Sequence, residues 1–140
     1  MKRRTARESA LKILFQKEFC DVDLNEVRGL EDQAEYVRNV ITAIDEHRIF
    51  IDKLISQTSI NWRLDRMAIV DRNILRLGVC EILFIEGVPI EVAINEAVNL
   101  AKKYSTDEAA KFVNGILDRI WREHAPAEKQ RELHEHEHRH

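Results

Sequence analysis

PIEVAINEAVNLAKKYSTDEAAKFVNGILDRIW, residues 89–121, reads as two amphipathic helices joined by a tight turn. Pro89 suits a first helical turn, where its missing N–H has no internal partner to lose. Behind it Ala93, Ala97, Leu100, Ala101 and Tyr104 recur at helical spacing. Ser105 stands three residues ahead of Glu108 in the arrangement of a capping box, and Ala109, Val113, Ile116, Leu117 and Ile120 form a second apolar stripe. Asn95, Glu96, Asn99, Lys111 and Asn114 lie among these core positions, although packing a hairpin does not require them.

Outward from this hairpin the chain keeps a helical pattern. Only four Gly and two Pro occur in 140 residues, β-branched runs do not alternate, and 44% of the residues are apolar, enough for one real core. An all-α domain is expected. Residues 69–86 carry an apolar band (Ile74, Leu75, Leu77, Gly78, Cys80, Ile82, Leu83 and Phe84) wide enough for a central helix touched on several sides, with Gly78 at a close crossing. Gly87 is read as its left-handed cap.

A first helix is expected over residues 5–20, with Ala6, Ala10, Ile13, Leu14 and Phe15 inward, and one long helix over residues 31–57. The long helix would bury Tyr36, Val37, Val40, Ile41, Ile44, Ile51, Leu54 and Ile55 and leave His47 on its solvated face. Residues 21–30 read as a connection, and Asn61 as the cap of a short piece with Trp62 and Leu64 inward. Residues 123–140 read as a polar tail outside the core. Its His134, His136, His138 and His140 have the spacing of an adventitious metal binder; no specific metal site and no cofactor is expected.

The net charge of −3 conceals an uneven distribution: residues 1–20 carry +4, residues 21–60 carry −5, residues 61–122 balance and the tail carries −2. Arg3, Arg4 and Arg7 open the first helix, although a helix N-terminus favours acidic neighbours. They read either as kept for an anionic partner or as a solvated basic tail. Lys102, Lys103 and Lys111 lie in the last hairpin near Phe112 and Asn114, so a cationic groove with aromatic side chains forms if the two ends of the chain meet. The plain alternative is that the lysines only suit a helix C-terminus and Phe112 is core. No phosphate loop, nucleophile elbow or HExxH is present, so no enzymatic activity is expected. Cys20 and Cys80 lack CxxC spacing and read as buried thiols of a cytoplasmic protein. There is no signal peptide pattern, and the longest candidate apolar run, residues 82–85, is far short of a membrane span.

Three stretches in consistent order, RRTARESALKILF, VDRNILRLGVCEILF and VPIEVAINEAVNLAKKYSTDEAAKFVNGILD, together resemble the bacterial transcription antitermination factor NusB family over residues 3–121. The resemblance implies an all-α fold of two small helical bundles, residues 1–60 and 61–122. It implies binding of boxA RNA in nascent ribosomal RNA together with NusE, a small-subunit ribosomal protein, so that RNA polymerase reads through terminators. By motif, Arg3, Arg4 and Arg7 would contact RNA phosphates, Phe15 would border the RNA and NusE surfaces, and Glu108, Lys111 and Phe112 would face RNA. Asp71 and Arg72 would face NusE, while Asn95, Glu96, Asn114 and Gly115 would serve interhelical hydrogen bonding and close packing. Phe15 stands where the family usually has tyrosine, and Glu108 where aspartate is expected. A homodimer is a further partner expectation. The rival reading is a helical protein-binding module whose basic residues touch no RNA.

Overall fold

The computed structural model describes residues 2–24, 33–59, 63–127 and 129. Among these residues are six α-helices and no strand: α1 (Lys2–Lys17), α2 (Ala34–Glu46), α3 (Arg48–Thr58), α4 (Ile69–Leu83), α5 (Ile90–Tyr104) and α6 (Asp107–His124). A 3-10 turn, Leu64–Arg66, precedes α4. None of the described helices is long and apolar enough to cross a membrane.

The wide apolar band does make a central helix. Residues 73–82 of α4 are buried without interruption, and α1, α2, α3, α5 and α6 all pack on it. Gly78 permits the crossing: a Cβ there would stand 2.7 Å from Leu117 Cδ1 of α6 and 3.5 Å from Ala97 Cβ of α5. Leu117 is itself fully buried. We therefore expect Gly78→Val to cost about 1–3 kcal/mol through overpacking, read as a lower denaturation midpoint at unchanged helix content.

Several expectations are corrected. The predicted long helix is two, because His47, with φ −109° and ψ 17°, leaves the helical region between α2 and α3. Its ring stacks on Phe84 at 3.9 Å and 5°, so it is not a solvated helical residue. All eight predicted apolar positions are nonetheless buried, since the phase carries across the break. Thr106, not Ser105, caps α6: its Oγ1 accepts from Ala109 N at 2.9 Å, while Ser105 terminates α5. Pro89 is the residue before α5, and α1 begins three residues earlier than expected, at Lys2. Gly87 takes the left-handed conformation, φ +82°, in the turn between α4 and α5, beyond the helix end at Phe84.

Both cysteines were read as buried. Cys80 is, and burial pushes its thiol up to about 12, whereas Cys20 is exposed. The segment after α6 is not wholly outside the core either. Ala125 is buried, and Lys129 Nζ donates to Glu81 O and Ile85 O at 2.6 and 2.7 Å, serving carbonyls at the end of α4. Residues 25–30 of the expected connection, residues 31–32 at the start of the predicted long helix, Asn61, Trp62 and the four tail histidines lie outside the described residues, as does the division between bundles at residues 60–61.

Candidate nucleic-acid interface

The three arginines that open α1 find three different partners: Arg3 and Arg7, four residues apart, share the face toward Tyr36, and Arg4 lies off it. Arg3 turns toward α2, its Nε donating to Gln33 Oε1 at 2.7 Å and its guanidinium lying 4.1 Å over the Tyr36 ring. Arg4 turns toward α5 and grips Glu96 through Nε and Nη2 at 3.1 and 3.0 Å. Its side chain remains 60% exposed. Arg7 goes inward. Only 4% exposed, it meets Glu81 of α4 in a bidentate pair, Nε to Oε1 at 2.8 Å and Nη2 to Oε2 at 2.9 Å. A guanidinium so enclosed has no surface to offer a phosphate, and the expectation that Arg7 contacts RNA is corrected to an internal strut between α1 and α4.

One turn along α1, Glu8 accepts from Lys103 Nζ of α5 at 2.7 Å. That hydrogen bond lowers the Glu8 carboxyl below its ordinary value and raises the Lys103 ammonium. Further on, Leu11, Lys12, Phe15 and Gln16 of α1 meet Val70 and Tyr104 around a pocket of about 360 Å³. The start of α1 is thus bridged to α5 by two ion pairs, Arg4–Glu96 and Glu8–Lys103. The spacing Arg4, Glu8, Lys12 is a legible sign of a charged, ion-paired face, and Glu96, expected to serve interhelical hydrogen bonding, does so by taking Arg4.

Phe15, read from periodicity as core, is 41% exposed. It packs in a tilted contact against Phe19, itself 67% exposed, at 5.4 Å and 57°, and both line a second hollow with Cys20 and Val22. Their spacing of four residues was the available signal for Phe19. The result is an aromatic ridge at the end of α1, beside the charged face.

Across the turn that follows Tyr104, α6 begins with exposed Asp107 and Glu108, and Lys111 is exposed one turn later. Phe112 is half-buried against the core. Lys12, Lys102 and Lys111 have no ion-pair partner within 4 Å among the described residues, so their charge is open to solvent. Asn95, Asn114 and Gly115 are exposed as well. A Cβ on Gly115 would meet nothing within 4 Å, which corrects the interhelical role expected for these three; only Glu96 joins two helices.

Asp71 and Arg72 sit at the start of α4, both half-buried. Arg72 donates to Glu18 from Nε and Nη2 at 3.1 and 2.9 Å, and the same carboxylate receives Asn73 Nδ2 at 3.1 Å and Arg76 Nη1 at 2.8 Å. Arg76 also forks onto Asp52 of α3 at 2.8 and 3.0 Å. Arg72 therefore belongs first to a network tying the end of α1 to α3 and α4. Asp71 Oδ1 is enclosed with no hydrogen-bond partner among the described residues. No group of three or more metal-ligating side chains occurs among the described residues.

The model of the NusB family matches residues 4–122. A transcription antitermination protein NusB from Fervidobacterium nodosum is 44% identical over 136 residues, covering 91% of this chain and 96% of that protein. Among solved structures, T. maritima NusB superposes with a TM-score of 0.81 at 44% identity, over 92% of this chain and 96% of the other. A structure described as antitermination factors NusB and NusE in complex with dsRNA gives 0.75 at 28% identity, over 88% and 98%. On its helices, their order and a sequence match over residues 4–122, this chain belongs to the NusB family.

Proposed function

We propose that this protein is a transcription antitermination factor without catalysis of its own, which binds boxA RNA of nascent ribosomal transcripts together with NusE and so helps RNA polymerase read through terminators. The observation that carries the reading is the attachment of the arginine-bearing start of α1 to the lysine-bearing end of α5 through Arg4–Glu96 and Glu8–Lys103. A flexible polyanion then meets Arg3 and Arg4, Lys12, Lys103 and, just past the turn, Lys111, with Phe112 beside it. Glu108 would orient the strand by accepting from ribose or base donors rather than by charge. Arg7 would act through the packing of α1.

NusE would take the ridge of Phe15 and Phe19 and the adjacent start of α4 at Asp71 and Arg72, where large apolar side chains are exposed. A homodimer would use the same ridge, and NusE would compete with it. In this reading residues 1–60 and 61–122 are the two bundles, the RNA lies where they meet, and the protein works in the cytoplasm.

Titration of boxA RNA, with NusE and without, tests the proposal. Lys111→Glu and Arg4→Gln should each weaken binding roughly tenfold, and each lost phosphate contact should reduce the salt dependence by about one unit of slope. RNA affinity indifferent to both substitutions, with salt-independent NusE binding retained, would establish the protein-binding module instead.

A further inference from the structure

Gly115 lies in the interior of α6, and nothing inside the chain explains it. Glycine is the poorest interior helix residue after proline. At Gly78 the crowding of Leu117 accounts for that disadvantage, but at Gly115 an added Cβ would meet no atom within 4 Å, and the backbone is not left-handed. An exposed, bare stretch of helix is useful to something that approaches from outside and needs the backbone close.

The neighbours indicate what approaches. On a helix surface Gly115 adjoins Lys111 and Phe112 one turn before it and Asp118 and Arg119 one turn after. Lys111 is exposed without an ion pair among the described residues. Arg119 is half exposed and loosely held, by Thr58 O at 3.4 Å and Glu123 at 3.9 Å. Asp118 is already engaged by Trp121 Nε1 at 3.0 Å and Arg122 Nε at 3.1 Å. Beside the glycine, Asn114 is exposed, its amide without a hydrogen-bond partner among the described residues. Two cations about 12 Å apart along the axis, with a bare backbone between them, suit a polyanion rather than another helix.

We infer that the RNA strand crosses α6 at Gly115, its sugar–phosphate backbone seated between Lys111 and Arg119, with Asn114 hydrogen-bonding a base or ribose edge. The inference rests on the RNA reading above and extends the RNA path about two further turns along α6. Asn114 is then a residue that reads the RNA, and Gly115 is the one that admits it.

The test is a titration of boxA RNA against the full chain with NusE, alongside melting curves. Gly115→Ala should raise the melting temperature by about 2 °C, since it improves the helix. Gly115→Gln should weaken RNA binding roughly tenfold without lowering the melting temperature or the affinity for NusE alone, and Arg119→Gln should weaken RNA binding and lower its salt slope. If Gly115→Gln leaves RNA affinity unchanged while Lys111→Glu reduces it, the path across α6 is wrong and the wider proposal stands. If Gly115→Gln weakens NusE binding in the absence of RNA, the bare face docks protein and the inference is overturned. If neither Lys111→Glu nor Arg4→Gln alters RNA binding, it is the RNA reading itself that fails.

Discussion

Replacing Arg7 by methionine should lower the melting temperature by about 10–15 °C, through a loss of about 3–5 kcal/mol. The pair it breaks is among the most enclosed in the molecule, with side-chain exposures of 5% for Arg7 and 2% for Glu81. Methionine fills much of the same volume, so the cost is not a cavity. It is the Glu81 carboxylate, left buried without its two charge-assisted hydrogen bonds and still beside the enclosed Tyr36 ring. The double replacement Arg7→Met with Glu81→Met removes both charges and should recover most of the lost stability, because a buried ion pair is seldom worth more than apolar packing in its place. Chemical denaturation of the two single variants and the double variant measures the coupling directly. A double variant as unstable as Arg7→Met would mean that shape, not stranded charge, sets the cost. The same variants separate the internal strut from a phosphate contact. Below its lowered melting temperature, Arg7→Met should bind boxA RNA within about threefold of the parent and with an unchanged salt slope.

Nothing in the local sequence distinguishes Arg7 from Arg3 and Arg4. In RRTARE all three arginines look equally exposed, and only the fold brings Glu81, from the helix at the centre of the core, to one of them. A short-range pattern carries the phase of a helix but not the identity of a partner far along the chain. Gly78 could be read because its explanation is local to the apolar band around it. The break at His47 could not: no Gly or Pro marks it, the apolar phase continues through it, and Phe84, the ring that holds the histidine, comes from the residue just after α4. Phe15 likewise has the right phase for the core and misses it, since it falls at the border of the stripe where α1 runs past its neighbours. Conversely, the motif asparagines invite an interhelical role, and it is only their exposure that turns Asn114 and Gly115 toward a partner.

Glu18 provides the second large effect, and it is one of pH. Burial opposes its ionisation, but hydrogen bonds from Arg72, Asn73 and Arg76 outweigh that and hold the carboxyl at about 2, well below the usual glutamate range. A group whose pKa is lower in the folded chain than in the unfolded one stabilises the fold while it is ionised. That contribution is complete above the unfolded value near 4.5 and declines as the pH falls from there through about 2. Its full size is on the order of 3 kcal/mol. Glu18→Gln should therefore be destabilised near neutral pH, with Arg72 and Arg76 sharing a neutral amide and Arg76 left with Asp52 as its remaining carboxylate. The difference between parent and variant should shrink between about pH 4.5 and 2, as the parent loses what the variant never had. Denaturation midpoints of both proteins across that range are the measurement, and curves that stay parallel down to pH 2 would show that Glu18 does not join α1 to α4 by charge. Because Arg72 also stands where NusE is proposed to dock, Glu18→Gln frees a guanidinium at that surface. NusE affinity should change at neutral pH while RNA binding through Lys111 keeps its salt slope.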